Sequence, residues 1–309
     1  MSRPTGDVVA QLGFTSEMAR LDDEISGWIA KADGEICDAL QWQFQGGSKY
    51  FRPLTIFSCY RAIYQGGIPP RLILSASVLE MFHNVSLIID DILDQSQYRR
   101  GIHTMHARFG LLPALMTSGY MVADGYRMIG EDPHDVRLLS ELLKRLGVAE
   151  CMQWRLRRQP LGVEDWRKIA GEDTGSMFEV CACLGTRTDE LRRFGHLLGV
   201  LYHACDDVGD VRGAAALGGG GEEDMRDGIL TLPAALAIRD PTVRALFTNA
   251  TPSADEMRSL AHAFRASLGD AERYLDRIAE EASAEAREAA ANPAPLLALV
   301  SHTRQLSNR

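Results

Sequence analysis

Alternation of apolar and polar residues at period two is nearly absent from this chain, and no such run is bounded by hairpin turns. Apolar residues recur instead at spacings of three and four, the period of a helix with one buried face. Proline and glycine punctuate the pattern at Gly46-Gly47, Gly66-Gly67, Pro69-Pro70, Pro113, Pro133, Pro160, Pro241, Pro252 and Pro293. Between these breaks the periodicity predicts helices over 17–44, 52–65, 70–96, 112–130, 134–158, 163–186, 188–212, 229–239, 253–286 and 292–307. The implied fold class is all-α, a single-domain bundle of about ten or more helices. The 309 residues equal about two average domains, but large single-core helical folds reach this size, and no linker forces a split, so 1–309 reads as one domain. One low-complexity stretch, Gly213 to Gly221, cannot bury enough apolar area to order itself, and 213–228 reads as a flexible loop.

Composition excludes several classes. A net charge of −9, with no basic patch carrying interleaved aromatics, argues against nucleic acid as a partner. No run of about 18 apolar residues occurs, so stable membrane insertion is not expected. The N-terminus lacks the apolar stretch of a signal peptide. Six cysteines (Cys37, Cys59, Cys151, Cys181, Cys183, Cys205) show no paired CxxC spacing and read as reduced core residues of a cytoplasmic protein.

The chemistry-bearing signal is a repeated acidic pattern. Asp90-Asp91-Ile92-Leu93-Asp94 and Asp206-Asp207-Val208-Gly209-Asp210 both read Asp-Asp-x-x-Asp. On a helix the first and last aspartates project from one face, where like charges destabilise by a few tenths of a kcal/mol. Their flanks are apolar, so the carboxylates are expected to be partly buried and to need compensation. A hard divalent cation supplies it, and Mg²⁺ commonly shares such carboxylates with substrate phosphates. A single copy is readable as a solvated acidic face; two copies, each at the polar end of a long apolar helix, read as two facing metal-binding clusters.

Cations accompany the acids. Lys49 and Arg52 lie three apart at a helix start, where free N–H groups and the dipole favour an anion. Arg99-Arg100-Gly101 follows the first cluster, and a guanidinium suits a pair of phosphate oxygens. His83 lies two helical turns before Asp90. Each has an ordinary structural explanation alone. Jointly they place positive groups around an acidic metal site, as two diphosphates require.

These residues resemble the trans-isoprenyl diphosphate synthases, the polyprenyl synthetase family. The likeness is strongest over Leu79 to Asp91, continued through Arg99-Arg100-Gly101 and His106 to Gly110. It extends to Asp173-Thr174-Gly175-Ser176-Met177-Phe178, the second aspartate cluster and Asp224 to Pro233. In motif it is closest to geranylgeranyl diphosphate synthases. The resemblance implies the isoprenoid synthase fold around a central cavity, a homodimer with the apolar stretch Leu111 to Met128 as a candidate interface, and three Mg²⁺ ions on Asp90, Asp91, Asp94, Asp206, Asp207 and Asp210. Arg99 would contact the allylic diphosphate, and Thr174 and His203 would also bind substrate. Lys49, Arg52, His83 and Arg100 would hold isopentenyl diphosphate. The implied reaction ionises the allylic diphosphate, adds the isopentenyl double bond to the cation and releases a proton.

The chain departs from the family pattern. Asp173 stands where a lysine is usual, Ile229 replaces another lysine, His203 replaces a glutamine, and Tyr50 replaces the second residue of a basic run. Asp173 weighs most, since it puts an anion beside the allylic diphosphate. Alternatives therefore stay open: a terpene cyclase, a prenyltransferase to another acceptor, or a weakly active partner subunit. In this family the residues one turn before the first cluster cap the product tail. Here they are Val85 and Ser86, both small, so the tail is expected to pass toward Phe82 and then Val122 and Ala123, giving a product of about twenty carbons or more.

Overall fold

Prolines set helix starts where the missing N–H costs nothing. Pro70–Leu93, Leu232–Ala237, Pro241–Thr248 and Ala294–Arg304 all carry proline in the first turn. Side chains close other ends. Ser253 and Glu256 exchange hydrogen bonds in a capping box at the start of Ala254–Ala266, and Thr231 accepts from the Ala234 amide. The computed structural model describes the backbone of residues 6–45, 50–213 and 221–308. It is helical as the periodicity predicts, with one exception among the described residues: the antiparallel pair Tyr98–Arg99 and Ile102–His103.

Several predicted helices are split. The span 17–44 becomes Thr15–Ile29 and Gly34–Gln45, with Asp33 accepting from the Glu35 amide at the break. The span 253–286 breaks at Ser267, whose hydroxyl donates to the Pro233 and Phe264 carbonyls. Within 163–186 the chain runs Val163–Ala170, a π turn at Gly171–Gly175, then Ser176–Thr186. The His196 ring fills the space a Cβ would need at two of its glycines, 2.7 Å away at Gly171 and 3.1 Å at Gly175. Of the predicted loop 213–228, residues 214–220 lie outside the described residues. Gly221–Asp227 is a helix, against the expectation of a loop there.

The chain divides into two compact units. The first comprises Met1–Leu143 and Cys181–Asp189. Its central helix is Pro70–Leu93, against which Leu111–Ile129, Thr15–Ile29 and Phe51–Ile63 pack. Contrary to the expectation from apolar runs, Pro70–Leu93 is long and apolar enough to cross a membrane, but 78% of its most apolar window is buried inside the protein, as in a core helix. Leu111–Ile129 buries Ala114, Met121 and Gly125 and exposes Leu111, Leu112, Leu115 and Met116 on its other side. The second unit comprises Lys144–Val180 and Glu190–Arg309. It is built on Arg192–Arg212, which packs against Leu268–Ala289 and the π turn. Cys59, Cys181, Cys183 and Cys205 are buried free thiols, and burial pushes Cys205 up to about 12. Cys37 is only half-buried and Cys151 is exposed, so those two are not core residues.

Candidate active site

Both aspartate clusters occupy the C-terminal ends of helices. Asp90 and Asp91 lie in the last turn of Pro70–Leu93, and Asp94 is its C-cap, with its amide bonded to the Asp90 carbonyl. Asp206, Asp207 and Asp210 lie in the last two turns of Arg192–Arg212. The helix dipole presents partial negative charge at that end and disfavours carboxylates there. No basic side chain occupies the last turn of Pro70–Leu93. Each cluster sets three carboxylates, oxygen donors alone, against an unfavourable dipole end, a donor set that fits a hard divalent cation.

The first unit holds Asp91 buried, Asp90 half-buried and Asp94 exposed. Arg99 Nε donates to Asp91 Oδ1 at 2.7 Å. Burial pushes the Asp91 carboxyl up, and the Arg99 guanidinium offsets only part of that. Arg99 gets there by way of the short hairpin. Arg100 and Gly101 take φ of 52° and 80°, the double left-handed conformation of a two-residue turn that suits strand twist. Trp42 Nε1 anchors the hairpin to the His103 carbonyl at 3.0 Å. His83, Asn84, Asp91, Arg99 and Arg100 line one cavity with Tyr50. Arg52 is half-buried near the start of Phe51–Ile63. Lys49 lies outside the described residues.

Two supports of this cavity were not anticipated from sequence. Gln43 Nε2 donates to Asn84 Oδ1 at 3.1 Å, and Tyr50 donates its hydroxyl to Asp22 at 2.7 Å. Tyr50, noted above only as a departure from a basic run, is thus an anchor for the helix start.

In the second unit, Asp207 Oδ2 accepts from Trp166 Nε1 at 2.8 Å and from the Leu232 amide at 2.7 Å. Oδ1 faces His203 Nε2 at 3.8 Å. Burial pushes Asp207 up to about 6, outweighing His203 and the two hydrogen bonds. Burial pulls His203 down, but Asp207 and Asp173 outweigh it and hold the imidazole at about 9. Thr174 and Asp173, in the π turn, both touch His203. Trp166 also escaped sequence reasoning; a tryptophan on an amphipathic helix needs a partner for its indole N–H, and that requirement was the available signal.

Of the tail residues, Val85 is buried and Ser86 half-buried, its hydroxyl donating to the His83 carbonyl. Phe82 is fully buried; its ring fills the space a Cβ would need at Gly125 and stands 5.1 Å from the Tyr126 ring. Val122 is half-buried, while Ala123 is exposed on the side of its helix away from Gly125. Ala123 therefore does not border Phe82 as expected, because two residues along a helix turn a side chain to the opposite face.

A third acidic group went unnoticed in the sequence. Asp132, His134 and Asp135 bring potential ligand atoms within 4.8 Å of one another. Arg187 clasps Asp132 at 2.6 and 3.0 Å, Arg71 approaches it at 3.4 Å, and Ser75 donates to Asp135. Arginines already balance these carboxylates, and hydrogen bonding to Arg187 holds the Asp132 carboxyl below its usual range. The group is an ion-pair knot.

Residues 34–266 match the polyprenyl synthetase family, and the chain belongs to that family. It is a trans-prenyl diphosphate synthase, a prenyltransferase of a Mg²⁺-dependent class. It is 29% identical to the nonaprenyl diphosphate synthase of Mycobacterium tuberculosis, over 96% of this chain and 95% of that protein. The structure of heptaprenyl diphosphate synthase from Staphylococcus aureus superposes with a TM-score of 0.86 at 20% identity, covering 95% of this chain and 98% of the other. A polyprenyl synthase from Caulobacter crescentus, solved with calcium and isoprenyl diphosphate, gives 0.86 at 22% identity over 100% and 99%. These two share the fold.

Proposed function

We propose that this chain condenses isopentenyl diphosphate with an allylic diphosphate and releases a linear diphosphate of about twenty carbons or longer, the length set by where its core closes. The observation that carries the reading is the pair of aspartate clusters on helix C-terminal ends, the first beside a cavity lined by His83, Arg99 and Arg100. Asp90, Asp91, Asp94, Asp206, Asp207 and Asp210 would hold Mg²⁺. When bound, the metal neutralises charge on the departing diphosphate. Arg99 and Thr174 bind the allylic diphosphate. Lys49, Arg52, His83 and Arg100 bind isopentenyl diphosphate. The apolar core around Phe82 and Val85 takes the growing tail and excludes water from the allylic cation.

Incubating the protein with Mg²⁺, isopentenyl diphosphate and each allylic diphosphate in turn tests this. Products that partition into solvent only after phosphatase treatment are expected. Hydrocarbon released without phosphatase would mean cyclisation, and no product with any primer would leave the partner-subunit reading.

Product length is the finer question. The nonaprenyl relative points to a longer chain than the packing of Phe82 does. Phe82 is fully buried with its ring against Gly125, and on this reading it is the floor that the tail meets beyond Val85 and Ser86. Phe82→Ala opens room comparable to a small hydrocarbon, enough for about one more isoprene unit. It should lengthen the main product by at least one unit, as read by chromatography of the dephosphorylated alcohols, with a stability cost of about 3–5 kcal/mol. An unchanged profile would remove Phe82 as the floor.

A further inference from the structure

The π turn Gly171–Gly175 carries two residues that meet His203, and their contacts fix the direction of every hydrogen bond. A carboxylate only accepts. The single hydroxyl proton of Thr174 therefore goes to Asp173 Oδ2, at 3.0 Å. With that proton committed, Thr174 Oγ1 can only accept from His203 Nδ1, at 2.9 Å. The same nitrogen lies 3.3 Å from Asp173 Oδ2. Nδ1 thus carries a proton. Nε2 is left facing Asp207 Oδ1, the carboxylate oxygen that Trp166 and Leu232 do not engage. A π insertion displaces the residues it carries from ordinary helical register, and such turns recur at functional sites. Here it brings Asp173 and Thr174 onto His203.

We infer that Asp173 is a positioning residue: through Thr174 and directly, it orients the His203 imidazole so that Nε2 is presented to the diphosphate held at the second aspartate cluster. This rests on the prenyl-transfer reading above. Coulomb repulsion alone gives Asp173 the opposite effect, since a bare anion beside a diphosphate weakens binding. The geometry reverses that sign because the carboxylate is engaged by two donors. The arrangement parallels the carboxylate–histidine pairs that orient imidazoles around metal sites, where the outer carboxylate fixes tautomer and ring direction.

The test is the dissociation constant of a non-reactive allylic thiodiphosphate with Mg²⁺, measured by calorimetry on the wild type, D173A, H203Q and the double variant. D173A should weaken binding by roughly tenfold to a hundredfold. In the H203Q background the same change should alter it by less than about twofold, since the residue it acts through is gone. Tighter binding by D173A, or an equal loss in both backgrounds, overturns the inference. A long-range ¹H–¹⁵N correlation on the wild type needs no variant: His203 Nδ1 should carry a proton, and an unprotonated Nδ1 overturns it as well. Binding of the analogue involves no condensation. A protein that shows this pattern yet makes no longer product refutes the proposed reaction and leaves the role of Asp173 standing.

Discussion

Asp207→Ala is expected to lower kcat for condensation on the order of 10²–10³-fold, the scale on which removal of one preorganised charge-stabilising group acts. The variant also strands the Trp166 indole N–H and the Leu232 amide, whose shared acceptor is Asp207 Oδ2. Leaving a buried donor unmade costs about 1–3 kcal/mol. Alanine therefore changes two things, and Asp207→Asn separates them. The amide oxygen still accepts from both donors, but the charge is gone. Asparagine should return the thermal midpoint close to the wild-type value while turnover stays low. Turnover restored by asparagine would show that Asp207 is an architectural acceptor, and the metal-ligand role would fall.

The contrast between Asp207 and Trp166 explains what sequence could reveal. Asp-Asp-x-x-Asp is legible because its chemistry lies in consecutive residues of one helix. The partners of Asp207 come from Trp166 and Leu232, distant in sequence, and only the fold brings them to one oxygen. The same holds for Gln43 with Asn84 and Tyr50 with Asp22. Helix existence was legible from periodicity, and so were breaks marked by proline such as Pro70 and Pro241, but breaks without such a marker were not. Ser267 ends a helix through a tertiary bond to the Pro233 carbonyl, which no local propensity encodes. The π turn at Gly171–Gly175 likewise depends on the His196 ring arriving from another helix. Asp173 shows the limit most clearly. Read alone it is an anion in the wrong place; read with Thr174 and His203 it is one member of a hydrogen-bonded group.

Arg145→Ala should destabilise the protein by about 3 kcal/mol at neutral pH, because it removes a partner from a buried carboxylate. Glu179 is 8% exposed. Arg145 donates to it at 2.8 Å and also reaches Glu172 at 3.0 Å, while His196 Nδ1 lies 2.8 Å from Glu179 and Arg192 3.4 Å. Burial pushes the Glu179 carboxyl up, but the hydrogen bonds from His196 and Arg145 outweigh it and hold the group below its ordinary value of 4.5. A carboxyl lowered on folding adds stability above its unfolded value, and that contribution fades as pH falls through the folded one. Removing Arg145 tips the balance back toward burial, so the variant forfeits the contribution where Glu179 is ionised. The deficit should be largest near neutrality and shrink well below pH 4.5, where the group is protonated in both proteins. Denaturant unfolding at the two pH values measures it, and an equal deficit at both would mean that Arg145 acts through packing alone. Glu179 also steadies the imidazole that packs against Gly171 and Gly175. Looser binding of the allylic analogue should therefore accompany the loss of stability, because the π turn that carries Asp173 and Thr174 leans on His196.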